Sequence, residues 1–205
     1  MTLNFAALDV ETANPTRASI CSFGVAIVRD GQVTEKHHLL TMPPAGLNTF
    51  APIQTGIHGL TAADVAGEPA FDVRLKEVLL LIGDLPVVAH NASFDFGAIR
   101  DACEVALIPI PALTYGCTLA MSRHADLSLS KYSLPAVCEA LGIDQGHHHR
   151  ADDDAEAAAR IVLALMSLRG IETLAELTVA LNVNFLSLNE PDGSRLSGVS
   201  ARSGY

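Results

Sequence analysis

Asp9 and Glu11 stand two residues apart in the segment ALDVET. The apolar run before them reads as a buried strand, and alternate residues of a strand share one face, so the two carboxylates sit side by side. Like charges at the end of such a strand repel each other and resist ionisation, and bound cations remove that penalty. Asp95, in AHNASFDFGAI, falls in the first turn of an expected helix, where the helix dipole alone already accounts for an acid. A further cluster runs His147-His148-His149-Arg150-Ala151-Asp152-Asp153-Asp154. It reads either as a polar loop entering an acidic helix start or as a metal site. Histidines suit zinc, whereas the surrounding acids suit a hard cation such as magnesium or manganese. Taken together, the clusters supply four carboxylates and a histidine from separate parts of the chain. Two divalent ions about 3.5–4 Å apart can clamp the attacking and leaving oxygens of a phosphodiester. A neutral histidine, with its ordinary pKa near working pH, can take the proton of the attacking water.

The surrounding elements follow from hydrophobic periodicity. Residues 5–10, 20–28 and 33–40 read as strands, the last two joined at Asp30-Gly31, a hairpin signal. A loop rich in Pro and Gly covers roughly 41–60. Leu75, Val78, Leu79 and Ile82 have helical spacing within 69–82. A short strand at 86–89 precedes a helix over 94–106, with Ser93 as its cap. A strand at 113–117, a helix at 133–141 stopping at Gly142 and an Ala-rich helix at 152–168 ending near Gly170 complete the series. A meander followed by strand–helix alternation predicts an α/β fold, a mixed five-stranded sheet (antiparallel meander plus parallel strands) flanked by helices. Residues 1–182 form the expected domain. From 183 to 205 Asn, Ser, Gly, Pro and Asp dominate, which predicts a loosely ordered tail or a segment that orders on a partner.

Composition excludes several classes. The chain has 205 residues, 49% of them hydrophobic, which rules out disorder along its length. Its formal net charge of -10 argues against a protein that coats nucleic acid, yet leaves room for an enzyme that grips one end of a strand through metal ions. The four cysteines form no C-x-x-C pair. Asp9, Glu11 and Arg17 interrupt any signal-peptide core, and no apolar run approaches the roughly 20 residues of a membrane span. A cytoplasmic protein without a membrane partner is the resulting expectation.

The segments ALDVETANP, IHGLT, VVAHNASFDFGAI, YSLPAVCEALGI and HHHRADDDAEAA, in this order, resemble the DEDDh 3′-to-5′ exonucleases, which include the proofreading subunit of bacterial replicative polymerase, ribonuclease T and oligoribonuclease. The resemblance covers about residues 5–165 and implies a ribonuclease H-like fold. It makes Asp9, Glu11, Asp95 and Asp154 the ligands of two divalent ions, Mg2+ or Mn2+, and His149 the general base. Three His–Asp pairs satisfy the family spacing H-x4-D; His149 with Asp154 has the family's flanking residues, and His148 with Asp153 is the second choice. Val10, Thr12, His58, Asn91 and Phe94 would contact the substrate, with Phe94 against a base. Core packing for Phe94 and turn capping for His58 are the competing structural roles. Lys131 and Arg123 are candidate phosphate contacts. The implied substrate is single-stranded DNA or RNA with a free 3′ end, and the implied setting is replication or repair, with a polymerase or other protein as a partner through the tail. A nuclease-like binding module and a different metal-dependent phosphoesterase are the alternatives, with a zinc hydrolase built on the triple histidine behind them.

Overall fold

The computed structural model describes residues 3–190. Strands β1 (Phe5–Thr12), β2 (Ile20–Arg29) and β3 (Gln32–Leu40) form the antiparallel meander. Asp30 and Gly31, with φ of 50° and 74°, make the tight turn between β2 and β3 with the left-handed pair a two-residue hairpin requires. Strand β4 (Val87–Ala89) adds to β1 in parallel and β5 (Thr114–Cys117) adds to β4 in parallel. A two-residue strand, β6 (Leu186–Ser187), pairs antiparallel with β5. The sheet of the described residues therefore has six strands in the order β3-β2-β1-β4-β5-β6, one more than the five expected. Two residues carry no alternation from which a strand is read.

The helices are α1 (Pro52–His58), α2 (Ala62–Val65), α3 (Phe71–Ile82), α4 (Ser93–Val105), α5 (Thr118–His124), α6 (Leu134–Leu141), α7 (Ala151–Arg169) and α8 (Leu174–Ala180). The first occupies what reads as loop, and Pro52 opens α1 because its missing N–H costs nothing at a helix start. Ser93 is the first residue of α4 and not its cap; Ala92 precedes it and no side chain caps that end. Phe185 and Leu188, in the segment expected to be a loose tail, are buried, and residues 183–190 pack onto the domain. The rest of the expected tail, 191–205, lies outside the described residues.

Alternation along β1 divides the core. Ala6, Leu8 and Val10 pack with Phe71, Leu75 and Val78 of α3 and with Phe96 and Ile99 of α4. Phe5 and Ala7 point the other way, against Ala155, Ala158, Ile161 and Val162 of α7. β2 is covered on both faces, and nine of its ten residues are buried, so it shows no polar alternation. α7 lies so close to β2 that a Cβ on Gly24 would run into the carbonyl of Ala151. Gly24 is the register partner of Asp9. That contact seats the first turn of α7 beside the acidic end of β1.

Candidate active site

Asp9 and Glu11 continue the face of β1 that carries Phe5 and Ala7. The helix that covers Phe5 and Ala7 starts only at Ala151, and beyond its start the face opens into a cavity of about 380 Å³. β1 also outruns its parallel neighbour, since pairing with β4 stops at Ala7 and Val88. The N–H of Val10, left without a strand partner on that edge, donates to Asp95 Oδ1 at 3.1 Å. Asp95 comes from the first turn of α4, immediately after β4. A crevice at the carboxyl ends of parallel strands is where open α/β sheets place their sites. Asp154, in the first turn of α7, closes the group: ligand oxygens of Asp9, Glu11 and Asp154 lie within 4.8 Å of one another.

The electrostatics of these acids have one sign. Burial, followed by Asp95, Glu11 and Asp154, raises the Asp9 carboxyl well above its ordinary range. Burial, then Asp154 and Asp95, pushes Glu11 up to about 8. Burial raises Asp95 to about 7 against the opposing hydrogen bond from Val10. The charges acting on Asp9 and Glu11 are all carboxylates, with no Lys or Arg among them. Carboxylate oxygens converging on one point are the donors a hard divalent cation takes, and a bound cation would offset their mutual repulsion, so these residues fit the metals implied by the sequence.

Neighbouring Asp153 faces elsewhere. Its carboxylate takes Lys36 Nζ at 2.6 Å and the His147 backbone N–H at 2.9 Å. Of the two aspartates weighed on sequence, Asp154 is the one in the cavity. Its Oδ2 accepts the His149 backbone N–H at 3.1 Å, which fixes the loop in front of α7. His149 has φ of 67°, a left-handed conformation that costs a residue other than glycine about 1–2 kcal/mol. The ring of His148 stacks on that of His149 with centroids 3.7 Å apart. His148 Nδ1 is engaged by Gln145, whereas among the described residues neither ring nitrogen of His149 is hydrogen-bonded. Burial and the adjacent His148 lower the His149 pKa, so its imidazole is neutral near pH 7.

The expected substrate residues divide. Thr12, His58, Asn91 and Phe94 all border the cavity. Val10 also borders it, but its side chain is buried in the core, so the backbone is what it offers. Phe94 is 38% exposed, which removes the core-packing role. His58 performs the capping role: Nδ1 accepts the Leu60 N–H at 3.0 Å, and Nε2 donates to the Thr12 carbonyl at 3.2 Å. With both nitrogens engaged, His58 is no general base. Lys131 and Arg123 are exposed and stand outside the cavity lining. Gln54, Ile57, His90 and Leu134 line the cavity without having been singled out from sequence. His90 adjoins Asn91 in a quoted motif and was within reach; the others belong to helices whose orientation only the fold sets.

Residues 6–162 match the family described as Exonuclease. The DNA polymerase III PolC-type protein of Thermotoga petrophila is 30% identical over 178 residues, covering 84% of this chain and 13% of the polymerase. The 3′-5′ exonuclease DinG of Bacillus subtilis is 28% identical over 165 residues, covering 79% of this chain and 17% of DinG. The chain thus spans less than a fifth of either relative's length. Among solved structures, Exonuclease X in complex with 5′ overhanging duplex DNA superposes with a TM-score of 0.66 at 26% identity, covering 85% of this chain and 99% of that one. The mixed sheet, the convergent acids and these matches agree with the resemblance to the DEDDh group: the chain belongs to the exonuclease family.

Proposed function

We propose that the protein is a metal-dependent 3′-to-5′ exonuclease that hydrolyses single-stranded DNA or RNA from a free 3′ end to nucleoside 5′-monophosphates. The observation that carries this reading is the convergence of Asp9, Glu11, Asp95 and Asp154 on one cavity, with no cation among the described residues acting on Asp9 or Glu11. Asp9, Glu11, Asp95 and Asp154 would hold the metal, a pair of magnesium or manganese ions. Divalent cations there supply an activated water and stabilise the charge on the departing 3′ oxygen. Asp95 faces the same cavity, with the Val10 N–H holding its carboxylate in place. His149 takes the proton from the attacking water, because burial favours its neutral ring and, among the described residues, neither ring nitrogen is hydrogen-bonded. Phe94 and Asn91 border the terminal nucleotide, with Phe94 offering an aromatic face to a base. The likeness to segments of a polymerase and of DinG supports a setting in DNA replication or repair, with a polymerase or another protein as a partner of the C-terminal segment. Among the described residues no helix is long and apolar enough to cross a membrane.

The test uses 5′-labelled single-stranded DNA and RNA with magnesium, manganese or chelator. The expected result is a metal-dependent ladder shortening from the 3′ end, with the His149→Ala rate lower by about 10²–10⁴-fold, the range for loss of a general base. No ladder from folded wild-type protein on either substrate would overturn the reading in favour of a nuclease-like binding module. Cutting of circular single strands would favour an endonuclease.

A further inference from the structure

The triple histidine contains more than one general base requires. Oxygen or nitrogen ligand atoms of His148, His149 and Asp154 lie within 4.8 Å of one another. Within that group, His148 Nδ1 stands 3.3 Å from Asp154 Oδ1. Both atoms are acceptors for the same group, the Gln145 amide nitrogen, which is 2.8 Å from each. A donor with partial positive charge thus sits between a nitrogen and an oxygen lone pair, in the position a cation would take. Their separation also matches a metal: tetrahedral zinc with bonds of about 2.0–2.1 Å has ligand–ligand edges of about 3.3 Å. A ring nitrogen of His149 lies within 4.8 Å of a donor atom of each, and the ring, now stacked on His148, must turn out of the stack to direct its in-plane lone pair at the same point.

We propose that His148, His149 and Asp154 form a second metal site, selective for a zinc-class cation, whose filling silences the catalytic centre. Two imidazoles with one carboxylate suit zinc, whereas magnesium prefers the all-oxygen set of Asp9, Glu11 and Asp154. Asp154 belongs to both sets, and His149 cannot take a proton while its lone pair binds a metal. Zinc enters by displacing the Gln145 amide. The silencing rests on the exonuclease reading; the site itself does not.

The site is tested by zinc calorimetry on the full chain carrying Glu11→Gln, which disables the all-oxygen set and leaves the three donors intact. One zinc is expected to bind. Adding His148→Ala is expected to weaken binding by at least the factor of about ten that loss of even an outer partner of a metal costs. Circular dichroism confirms that both variants fold. No zinc bound by the folded Glu11→Gln protein, or equal binding with and without His148, would overturn the site. The silencing is tested on wild type in saturating magnesium, each protein normalised to its own zinc-free rate. Half-inhibition is expected at a zinc concentration about tenfold higher for His148→Ala than for wild type. Zinc that binds without inhibiting, or equal inhibition of both proteins, would overturn the silencing. If no nuclease activity is found at all, calorimetry still decides the site, so the two readings fail separately.

Discussion

Two groups of carboxylates flank the start of α7, and the same first turn contributes to both. On one side Asp153 and Glu156 share Lys36 Nζ at 2.6 and 3.1 Å, and Glu156 is also held by Arg160. Asp152 meets Arg150 Nε at 2.8 Å. On the other side Asp154 joins Asp9, Glu11 and Asp95, and every charge that acts on Asp9 is negative. Burial raises the carboxyls of both groups, but Lys36 and the His147 N–H outweigh it at Asp153 and hold that group below the ordinary value. Arg160 and Lys36 do the same at Glu156. The protein thus has cations to spend on acids at this end of the helix and, among the described residues, places none beside Asp9. Adjacent residues of one helix turn, Asp153 and Asp154, therefore do different work: one ties the loop to the sheet, and the other faces Asp9 and Glu11 across the cavity.

Exchanging the two neighbours breaks the comparison most sharply. Asp154→Asn is expected to lower nuclease activity by at least about 10³-fold, the upper range for losing one preorganised electrostatic contact in an active site. Asp153→Asn is expected to destabilise the protein by about 1–3 kcal/mol, because a charged hydrogen-bond network loses its acceptor, while its folded fraction remains metal-activated. Kinetics and denaturant unfolding on the two variants check both statements. Equal losses of activity would end the distinction.

Gly24→Ala probes the contact that brings the two groups together. The added methyl meets the Ala151 carbonyl, and overpacking of this kind costs about 1–3 kcal/mol. Because the displaced residue begins α7, specific activity per folded molecule is expected to fall as well. Activity and thermal melting measured on the same samples separate the two losses.

The groups are also expected to differ in how pH acts on stability. Asp95 and Glu11 hold their protons up to about 7 and about 8 in the folded, metal-free chain, and release them near their ordinary values of 3.8 and 4.5 when unfolded. Between those limits the folded state binds more protons, so metal-free stability falls as pH rises from about 4 to 8. Asp153 and Glu156, with lowered values, contribute stability that is present above the ordinary carboxylate range and lost as pH falls below it. Melting curves in chelator from pH 5 to 8 are expected to show the first trend, and millimolar magnesium to flatten it. The smallest effect is expected for Glu11→Gln in chelator at pH 8: a rise in Tm at about 2–4 °C per kcal/mol of relieved repulsion. An unchanged or lower Tm would mean that the acids are not in conflict.

Most of the sheet was legible because its signals are local. Asp30-Gly31 fixes a turn by its backbone demands, and Gly142 and Gly170 end helices in left-handed conformations. α8 had a readable start in Thr173 and Glu176, which cap it reciprocally, but too little periodicity follows to draw notice. β6 exists only because β5 offers it an edge. At the site, residue types and order pointed to the acids, whereas spacing alone left three histidines and three aspartates interchangeable. Direction around a helix turn separates Asp153 from Asp154, and that direction depends on Lys36, 117 residues away. Gln145 gave no signal at all, since its role comes from where the loop folds back.

The acids of the centre enter the chain far apart, with Asp9 on β1 and Asp154 on α7. β1 lies inside the sheet and α7 packs across it, so the two meet only after the intervening strands and helices have taken their places. Contacts of such sequence separation are the slow ones in folding. During synthesis the acidic cavity is therefore incomplete until α7 has left the exit tunnel and docked. Docking of α7, which brings Asp154 to Asp9 and Glu11, is thus the step that completes the cavity.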